Sequence, residues 1–176
     1  MTPRVSLDDL GAWLIKGNAD HADLAGRFAR DPVVRGWCVQ PSYRTRLMRA
    51  GQPVVFWASG SRAGAGSGAR PGGGARAGSG APAGDGGGRL CYGVWGIGRV
   101  AGEAGAEVPL DLTIWPPARR IARDELRADS RLAGLEVFRQ PQGSNPSYLT
   151  VAQFGALLDH LPADGELAGR AGHKRV

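Results

Sequence analysis

The pattern of hydrophobic and polar positions divides most of the chain into short apolar runs separated by turn residues. Runs rich in β-branched and aromatic residues and bounded by Gly, Pro, Asn or Ser are typical of strands. The run at residues 12–16 is apolar on both faces, which indicates a central strand. The predicted strands are residues 12–16, 33–39, 54–59, 90–100, 108–115 and 135–138.

Helical spacing of apolar residues predicts helices over residues 20–30 and 123–128, with a shorter helical turn over 43–49. A last helix begins at a capping box, in which Thr150 and Gln153 each bond the other's backbone. An apolar stripe follows, and Pro162 ends the helix.

The order and spacing of these elements predict the fold class. The strands are separated irregularly, and there are too few long crossovers for a mostly parallel sheet. We therefore predict an α+β fold, a small mixed or antiparallel β-barrel flanked by short helices.

Residues 60–89 differ sharply in composition from the rest of the chain. They consist mainly of Gly, Ala, Ser and Arg and contain no Val, Ile, Leu, Phe, Tyr or Trp. Such a segment cannot bury enough apolar surface to offset the entropy of ordering it. We predict one domain over residues 1–162, interrupted by a disordered insert at 60–89 within a hairpin, and a flexible tail at 163–176.

Charge and cysteine content narrow the possible functions. The net charge is +6, of which half lies in the insert and the rest before it, consistent with a nucleic-acid or phosphate partner. Cys38 and Cys91 lack the spacing of a metal site or a disulfide framework, so we expect neither metal nor cofactor.

No run approaches the roughly 20 apolar residues of a membrane span. The beginning of the chain has no apolar run typical of a signal peptide, so we expect a cytoplasmic protein.

The strongest candidate for a binding site is the end of the first strand, Lys16-Gly17-Asn18. Gly17 lets a flat ligand come close, and the Asn18 amide can pair with a base edge. Tryptophans at the ends of other elements predict that several segments converge on one aromatic pocket, although burial in the core is the simpler interpretation of any single one. The candidate base-binding residues are Asn18, Trp37, Cys38, Tyr43, Trp57, Ser59 and Trp95; the candidate phosphate-binding residues are Lys16, Arg44, Arg46 and Arg49.

Other common chemistries are poorly supported. The glycines of residues 93–98 do not precede a helix pattern and lack the Lys of a phosphate loop. A Cys-His pair is possible, because such pairs form in space, but a small buried or pocket-lining Cys38 is the simpler interpretation.

Several short motifs, in their order, resemble the EVE domain, a member of the PUA-like group that also contains the YTH domain. The opening Trp13-Leu14-Ile15-Lys16 is similar to its Trp-Leu-Leu/Ile-Lys strand. The runs at 56–59, Phe-Trp-Ala-Ser, and at 93–98, Gly-Val-Trp-Gly-Ile-Gly, are similar to its later strands. Residues 14–18, followed by Trp37-Cys38, are similar to the Leu-Ile-Lys-Ser-Asn and Trp-Ser of YTH domains.

The resemblance implies a small barrel with a pocket for a modified nucleobase. It matches Asn18 to the base-contacting Asn and Trp37 to the cage Trp, while Cys38 stands where the related pattern has Ser. Trp57 and Ala58 stand in place of Tyr and His. We therefore expect a non-catalytic module that binds DNA or RNA carrying a modified cytosine or methyladenine.

Two alternatives remain open. Relatives in the PUA-like group, the ASCH domains, resemble small hydrolases of modified nucleosides, and Lys16 with Glu103 or Glu136 would then be catalytic. The chain could also be a protein-interaction module, with the aromatic residues in the core and the Gly/Arg-rich insert as a tether.

Overall fold

The computed structural model describes residues 4–19, 22–59, 90–143 and 145–161. The predicted insert at 60–89 and the predicted tail at 163–176 lie outside these residues. The strands are β1 (Leu10–Asn18), β2 (Val33–Cys38), β3 (Pro53–Ser59), β4 (Gly93–Val100), β5 (Glu107–Thr113), β6 (Ile121–Ala122) and β7 (Ser147–Thr150). The α-helices are α1 (Leu24–Arg30), α2 (Arg123–Ala128), α3 (Glu136–Arg139) and α4 (Val151–Leu158), and 3-10 turns span Leu7–Asp9, Thr45–Leu47 and Pro117–Arg119.

The strands form one mixed sheet in the order β2-β5-β4-β3-β1-β7, with β6 paired to β4. β1 and β3 are parallel, and the other pairings are antiparallel. The predicted α+β class and its mixed, mostly antiparallel sheet are therefore confirmed. β3 and β4 pair across residues 60–89, from Pro53 opposite Arg99 to Ala58 opposite Gly93, which confirms the predicted hairpin.

The sheet separates two hydrophobic cores, because side chains of successive strand residues point to opposite faces. Trp13, Ile15 and Phe56 belong to the first core, on one face of the sheet. Leu14 and Trp57 belong to the second core, which helices cover. β1 is buried on both faces and lies between β3 and β7, as expected of a central strand.

The sheet curls like a barrel without closing through a continuous ladder. β2 and β7 lie at its two ends. The Trp37 Nε1–H of β2 donates to the Lys16 carbonyl of β1 at 3.2 Å, and the Gln40 N–H donates to the Asn145 carbonyl at 3.1 Å. These single bonds hold the two ends of the sheet together.

One local prediction is wrong, and two short strands were missed. Residues 136–138 lie in the short helix α3, with Leu135 as its N-cap, rather than in a strand, and Glu136 and Val137 are buried. A four-residue apolar run has no periodicity long enough to separate strand from helix, which explains the error. The strand β7 and the two-residue β6 were not predicted, and β7 is too polar, Ser-Tyr-Leu-Thr, to give a clear strand signal.

The helix boundaries agree better with the sequence. α1 begins at Leu24 with Asp23 as its N-cap, four residues after the predicted start. The capping box of Thr150 and Gln153 is present at α4, with both reciprocal bonds formed. Within the described residues, no helix is long and apolar enough to cross a membrane.

A charged contact fastens the end of α4 to α2. His160 Nδ1 lies 3.1 Å from Glu125 Oε1, and His160 Nε2 lies 3.0 Å from Asp129 Oδ2. Burial opposes a charge on the ring, but the hydrogen bonds that the ring makes to Asp129 and Glu125 outweigh it and raise the pKa of His160. Protonated His160 therefore stabilises the fold.

We predict that the free energy of unfolding decreases as pH rises through neutrality. A group whose pKa is raised on folding contributes its full stability below the pKa of its unfolded state, about 6.5 for His160. That stability is lost as the pH rises through the pKa of the folded state. Urea unfolding at about pH 5.5 and about pH 8.5 should show this decrease, and the His160→Gln variant should show a smaller one. An equal decrease in both proteins would contradict the role of His160.

Candidate functional site

A groove of about 370 Å³ lies where the start of α1 meets the outer strand β2 and the end of β1. Its volume is within the range of small-ligand sites, roughly 300–1,000 Å³. We call it the α1–β2 groove. The residues that line it are Asn18, Ala22, Leu24, Arg27, Gly36, Trp37, Cys38 and Glu107.

Trp37 is the aromatic wall of the groove, and the strand geometry fixes its orientation. Where Val34 pairs with Leu112 and Gly36 with Pro109, one residue of β2 lies opposite two of β5. This irregularity lets Val34 and Trp37 point to the same core although three positions separate them. The half-buried Trp37 ring packs edge-on against Phe56, with ring centroids 4.9 Å apart and planes at 81°.

Gly17 has a different role from the one predicted. A Cβ at this position would lie 2.6 Å from Cζ of Phe56 and 3.1 Å from Cζ2 of Trp37. The absence of a side chain therefore makes room for the protein's own aromatic rings and not for a ligand.

Two opposite charges line the groove. The Arg27 guanidinium lies 5.2 Å from the Trp37 ring centroid, a cation–π contact. The Glu107 carboxylate lies over the backbone of Gly36, where a Cβ would overlap its Oε1. Among the described residues, no ion pair joins Arg27 to Glu107. Sequence reasoning missed both, since neither belongs to a motif and only the fold brings them to Trp37.

The structure brings together only part of the predicted aromatic pocket. Asn18, Trp37 and Cys38 line the groove, but Trp57 is 1% exposed and packs against Phe138 in the second core. Trp95 is 3% exposed in the first core, where its Nε1–H donates to the Cys91 carbonyl. The expected convergence of three tryptophans on one pocket is therefore wrong.

Two other predicted base-binding residues lie outside the groove lining. Ser59 is opposite Asn18 in the β1–β3 register, and its hydroxyl donates to the Gly17 carbonyl at 3.3 Å. The Tyr43 hydroxyl accepts from the Val5 N–H and from Arg44 Nε, both at 3.4 Å. Burial opposes ionisation of Tyr43, but these donors outweigh it and lower the pKa of Tyr43.

A buried ion pair accounts for Arg44, which was predicted to bind phosphate. Arg44 is 5% and Glu136 is 7% exposed, and the guanidinium donates to both carboxylate oxygens at 2.9 and 2.8 Å. The Ser147 hydroxyl also donates to Glu136 Oε2. Because Arg44 is committed to this pair, its assignment to phosphate is wrong.

Lys16 completes this cluster, which we call the Arg44 network (Lys16, Arg44, Glu136 and Ser147). Its ammonium donates to the carbonyls of Pro141 and Gly143. Burial lowers the pKa of Lys16, and nearby Glu136 partly opposes that shift. Burial alone would raise the pKa of Glu136, but the hydrogen bonds from Arg44 and Ser147 hold it below its usual value.

These contacts favour a structural role for Lys16 and Glu136. Both oxygens of Glu136 already accept hydrogen bonds, and the Lys16 ammonium is bonded to backbone carbonyls. A general base needs to be within reach of a substrate proton, whereas the Glu136 carboxylate is buried and held by protein donors. Glu103, the other acid considered, lies exposed in the turn between β4 and β5.

Arg46 and Arg49 are exposed but distant from the groove. They precede β3, near the pairing of Trp13 with Val54, whereas Asn18 lies at the opposite end of this parallel pair. Five residues of strand separate the two ends, roughly 16 Å. The Arg49 guanidinium donates to the carbonyls of Arg46 and Met48. The structure therefore separates these two candidate phosphate contacts from the candidate base contacts.

The Asn145 side chain links the polar loop after α3 to the groove. Its Oδ1 accepts from the Lys16 N–H and its Nδ2 donates to the Lys16 carbonyl, both at 3.0 Å. The same carbonyl accepts from the Trp37 indole. Asn145 thus extends the pairing of β7 along β1 and supports the carbonyl that orients Trp37.

Within the described residues, no group of three or more His, Cys, Asp and Glu is arranged to hold a metal ion.

Comparison with known proteins gives likenesses of fold alone. No family model and no curated protein matches the chain. The structure is similar to that of a hypothetical protein from Leishmania major, with 15% identity, a TM-score of 0.51 and coverage of 88% of this chain and 96% of that one. A protein from Pseudomonas putida is 14% identical with a TM-score of 0.49, covering 85% of this chain and 98% of the other. At 15% identity, the likeness to the Leishmania major protein concerns the fold alone.

We predict that Glu136→Gln lowers the free energy of unfolding by about 3–5 kcal/mol, because it leaves Arg44 buried without a counter-charge. The double replacement Arg44→Met with Glu136→Leu should cost less, since it removes both charges. Urea denaturation measures both values, and Glu103→Gln, on an exposed carboxylate, should change stability by less than about 0.5 kcal/mol.

The stability that Glu136 contributes should depend on pH. Because the folded pKa of Glu136 is depressed, its contribution is present above its unfolded value of about 4.5 and is lost as pH falls through the folded pKa. A loss below about 1 kcal/mol for Glu136→Gln at neutral pH would show that the pair contributes little.

Proposed function

We propose that this chain is an EVE-like domain of the PUA-like group that binds a modified base of DNA or RNA in the α1–β2 groove. The observation that carries the proposal is the position of Trp37. It is half-buried, rigidly packed, and shares the groove with Asn18 and Cys38, which the EVE and YTH resemblance also selects. The order of the motifs along the chain, on which that resemblance is based, also supports the proposal.

Stacking on Trp37 supplies the main affinity for the base. Stacking of a base on an aromatic side chain contributes roughly 1–3 kcal/mol. Phe56, in edge contact, and Phe28, 6.4 Å away, hold the indole in place, so little side-chain entropy is lost on binding. Arg27 covers the ring in the free protein and moves aside, or lies over the base, when the base enters.

The contacts to the phosphates differ from those in the sequence prediction. With Arg44 and Lys16 committed to the Arg44 network, α1 supplies two other exposed cations. Arg27 lines the groove itself, and Arg30 follows one turn later. We propose that these two arginines contact the flanking phosphates, which bind proteins through charge and with little sequence preference.

We predict that Trp37→Ala weakens binding of the preferred modified strand by roughly 5- to 150-fold, which corresponds to the loss of one stacking contact. The matched control is Trp115→Ala, which truncates another half-buried tryptophan, packed against the second core. Tryptophan fluorescence is titrated with short strands that are unmodified or carry 5-methylcytosine, 5-hydroxymethylcytosine or N6-methyladenine.

Salt concentration and the insert separate the competing explanations. A preference for one modified strand should persist at high salt, whereas phosphate contacts weaken. A variant without residues 60–89 should keep that preference, because the insert's arginines bind without regard to the base. Equal, salt-sensitive binding of all strands by both tryptophan variants would overturn the proposal and favour the protein-interaction module. Turnover of a modified nucleoside would favour the hydrolase.

A further inference from the structure

We infer that Glu107 makes the α1–β2 groove selective for bases with an exocyclic amino group, the cytosine and adenine class, over bases with a keto group at that edge. This inference rests on the proposed base-binding function. It assigns a role to a residue that no motif in the sequence selects.

The position of Glu107 follows from the pairing of β2 with β5. Glu107 is opposite Cys38, one step from the pair formed by Trp37 and Val108. It is the first residue of β5, its side chain is exposed, and it lines the same groove as Trp37. Its carboxylate lies over Gly36, whose lack of a Cβ leaves space for it.

The carboxylate is available to a ligand. Within the part of the chain that the structure describes, no hydrogen bond or ion pair involves the Glu107 carboxylate. The nearest candidate partner by charge, Arg27, is directed to the faces of Trp37 and Phe28 instead. Glu107 and Trp37 leave opposite faces of the β2–β5 pair, because Glu107 pairs with Cys38 and Trp37 with the buried Val108, yet both line the groove. The carboxylate can therefore meet the edge, and not the face, of a base that stacks on Trp37.

The chemistry of a carboxylate sets the selectivity. An ionised carboxylate accepts hydrogen bonds and cannot donate them. It therefore pairs with the amino group at N4 of cytosine or N6 of adenine and repels a carbonyl oxygen at the same place. An amide such as that of Asn18 carries both donors and acceptors, so this residue type does not by itself discriminate between an amino and a keto edge.

Two sets of two bases, matched except at this edge, test the inference. 5-Methylcytosine and thymine share the 5-methyl group and differ in an amino or a keto group at position 4; adenine and hypoxanthine differ likewise at position 6. Each base is placed in the same short strand and titrated against the wild-type chain. We expect the amino member of at least one pair to bind about tenfold more tightly, the value of one specific edge contact.

Two variants change Glu107 in different ways. Glu107→Gln can accept or donate, so the preference should fall to about twofold or less. Gly36→Ala keeps the charge, and its backbone conformation is open to Ala, but the added Cβ displaces the carboxylate and should abolish the preference as well. Glu103→Gln makes the same charge change on an exposed residue outside the groove lining, and should leave the preference unchanged.

The outcomes separate this inference from the proposed function. Equal binding of amino and keto members, with Trp37 still required, would overturn the role of Glu107 and leave base binding intact. A preference that survives both Glu107→Gln and Gly36→Ala would also overturn it. Binding that depends on neither Trp37 nor the base would instead refute the proposed function.

Discussion

The buried pair of Arg44 and Glu136 is the contact on which the ordering of the groove depends. It joins residues 92 positions apart, and Ser147 and Lys16 bring β7 and β1 into the same network. Two buried charges are tolerated only when each is satisfied, and here both oxygens of the carboxylate and the ends of the guanidinium are bonded. The Lys16 ammonium in turn holds the loop that carries Asn145, and Asn145 shares the Lys16 carbonyl with Trp37. A charge pair in the interior thus fixes the aromatic wall at the surface.

The curl of the sheet explains why one tryptophan can serve a ligand while its neighbours cannot. Phe56 and Trp57 are adjacent in β3 and face opposite cores. Trp37, on an outer strand, packs against Phe56 in the first core and remains half-buried. Because β2 lies at the end of the sheet, part of the Trp37 ring contacts the core and part remains open to solvent. That combination of rigidity and access is what a stacking surface requires.

Sequence patterns predicted the α+β class, the hairpin around residues 60–89 and the capping box, because these depend on local composition or short spacing. They selected Trp37, Asn18 and Cys38 through motif order. They failed for Arg44 and Trp57, because burial and partners depend on contacts between distant segments. No local signal separates an arginine that binds phosphate from one paired with Glu136, 92 positions away. Arg27 and Glu107 were missed for the same reason, since only the pairing of β2 with β5 and the packing of α1 bring them to the groove.

The central claim is that a base stacks on Trp37, and the indole N–H signals test it directly. The chain has five tryptophans, and each gives one Nε1–H signal in a two-dimensional ¹H–¹⁵N spectrum. Single Trp→Phe variants assign the signals, and a trinucleotide with a central modified base is added stepwise. The account predicts a large shift of the Trp37 signal, because a stacked base changes its ring-current field, and small shifts for Trp57 and Trp95 in the cores. No shift at Trp37, with changes confined to arginine side chains, would contradict the account.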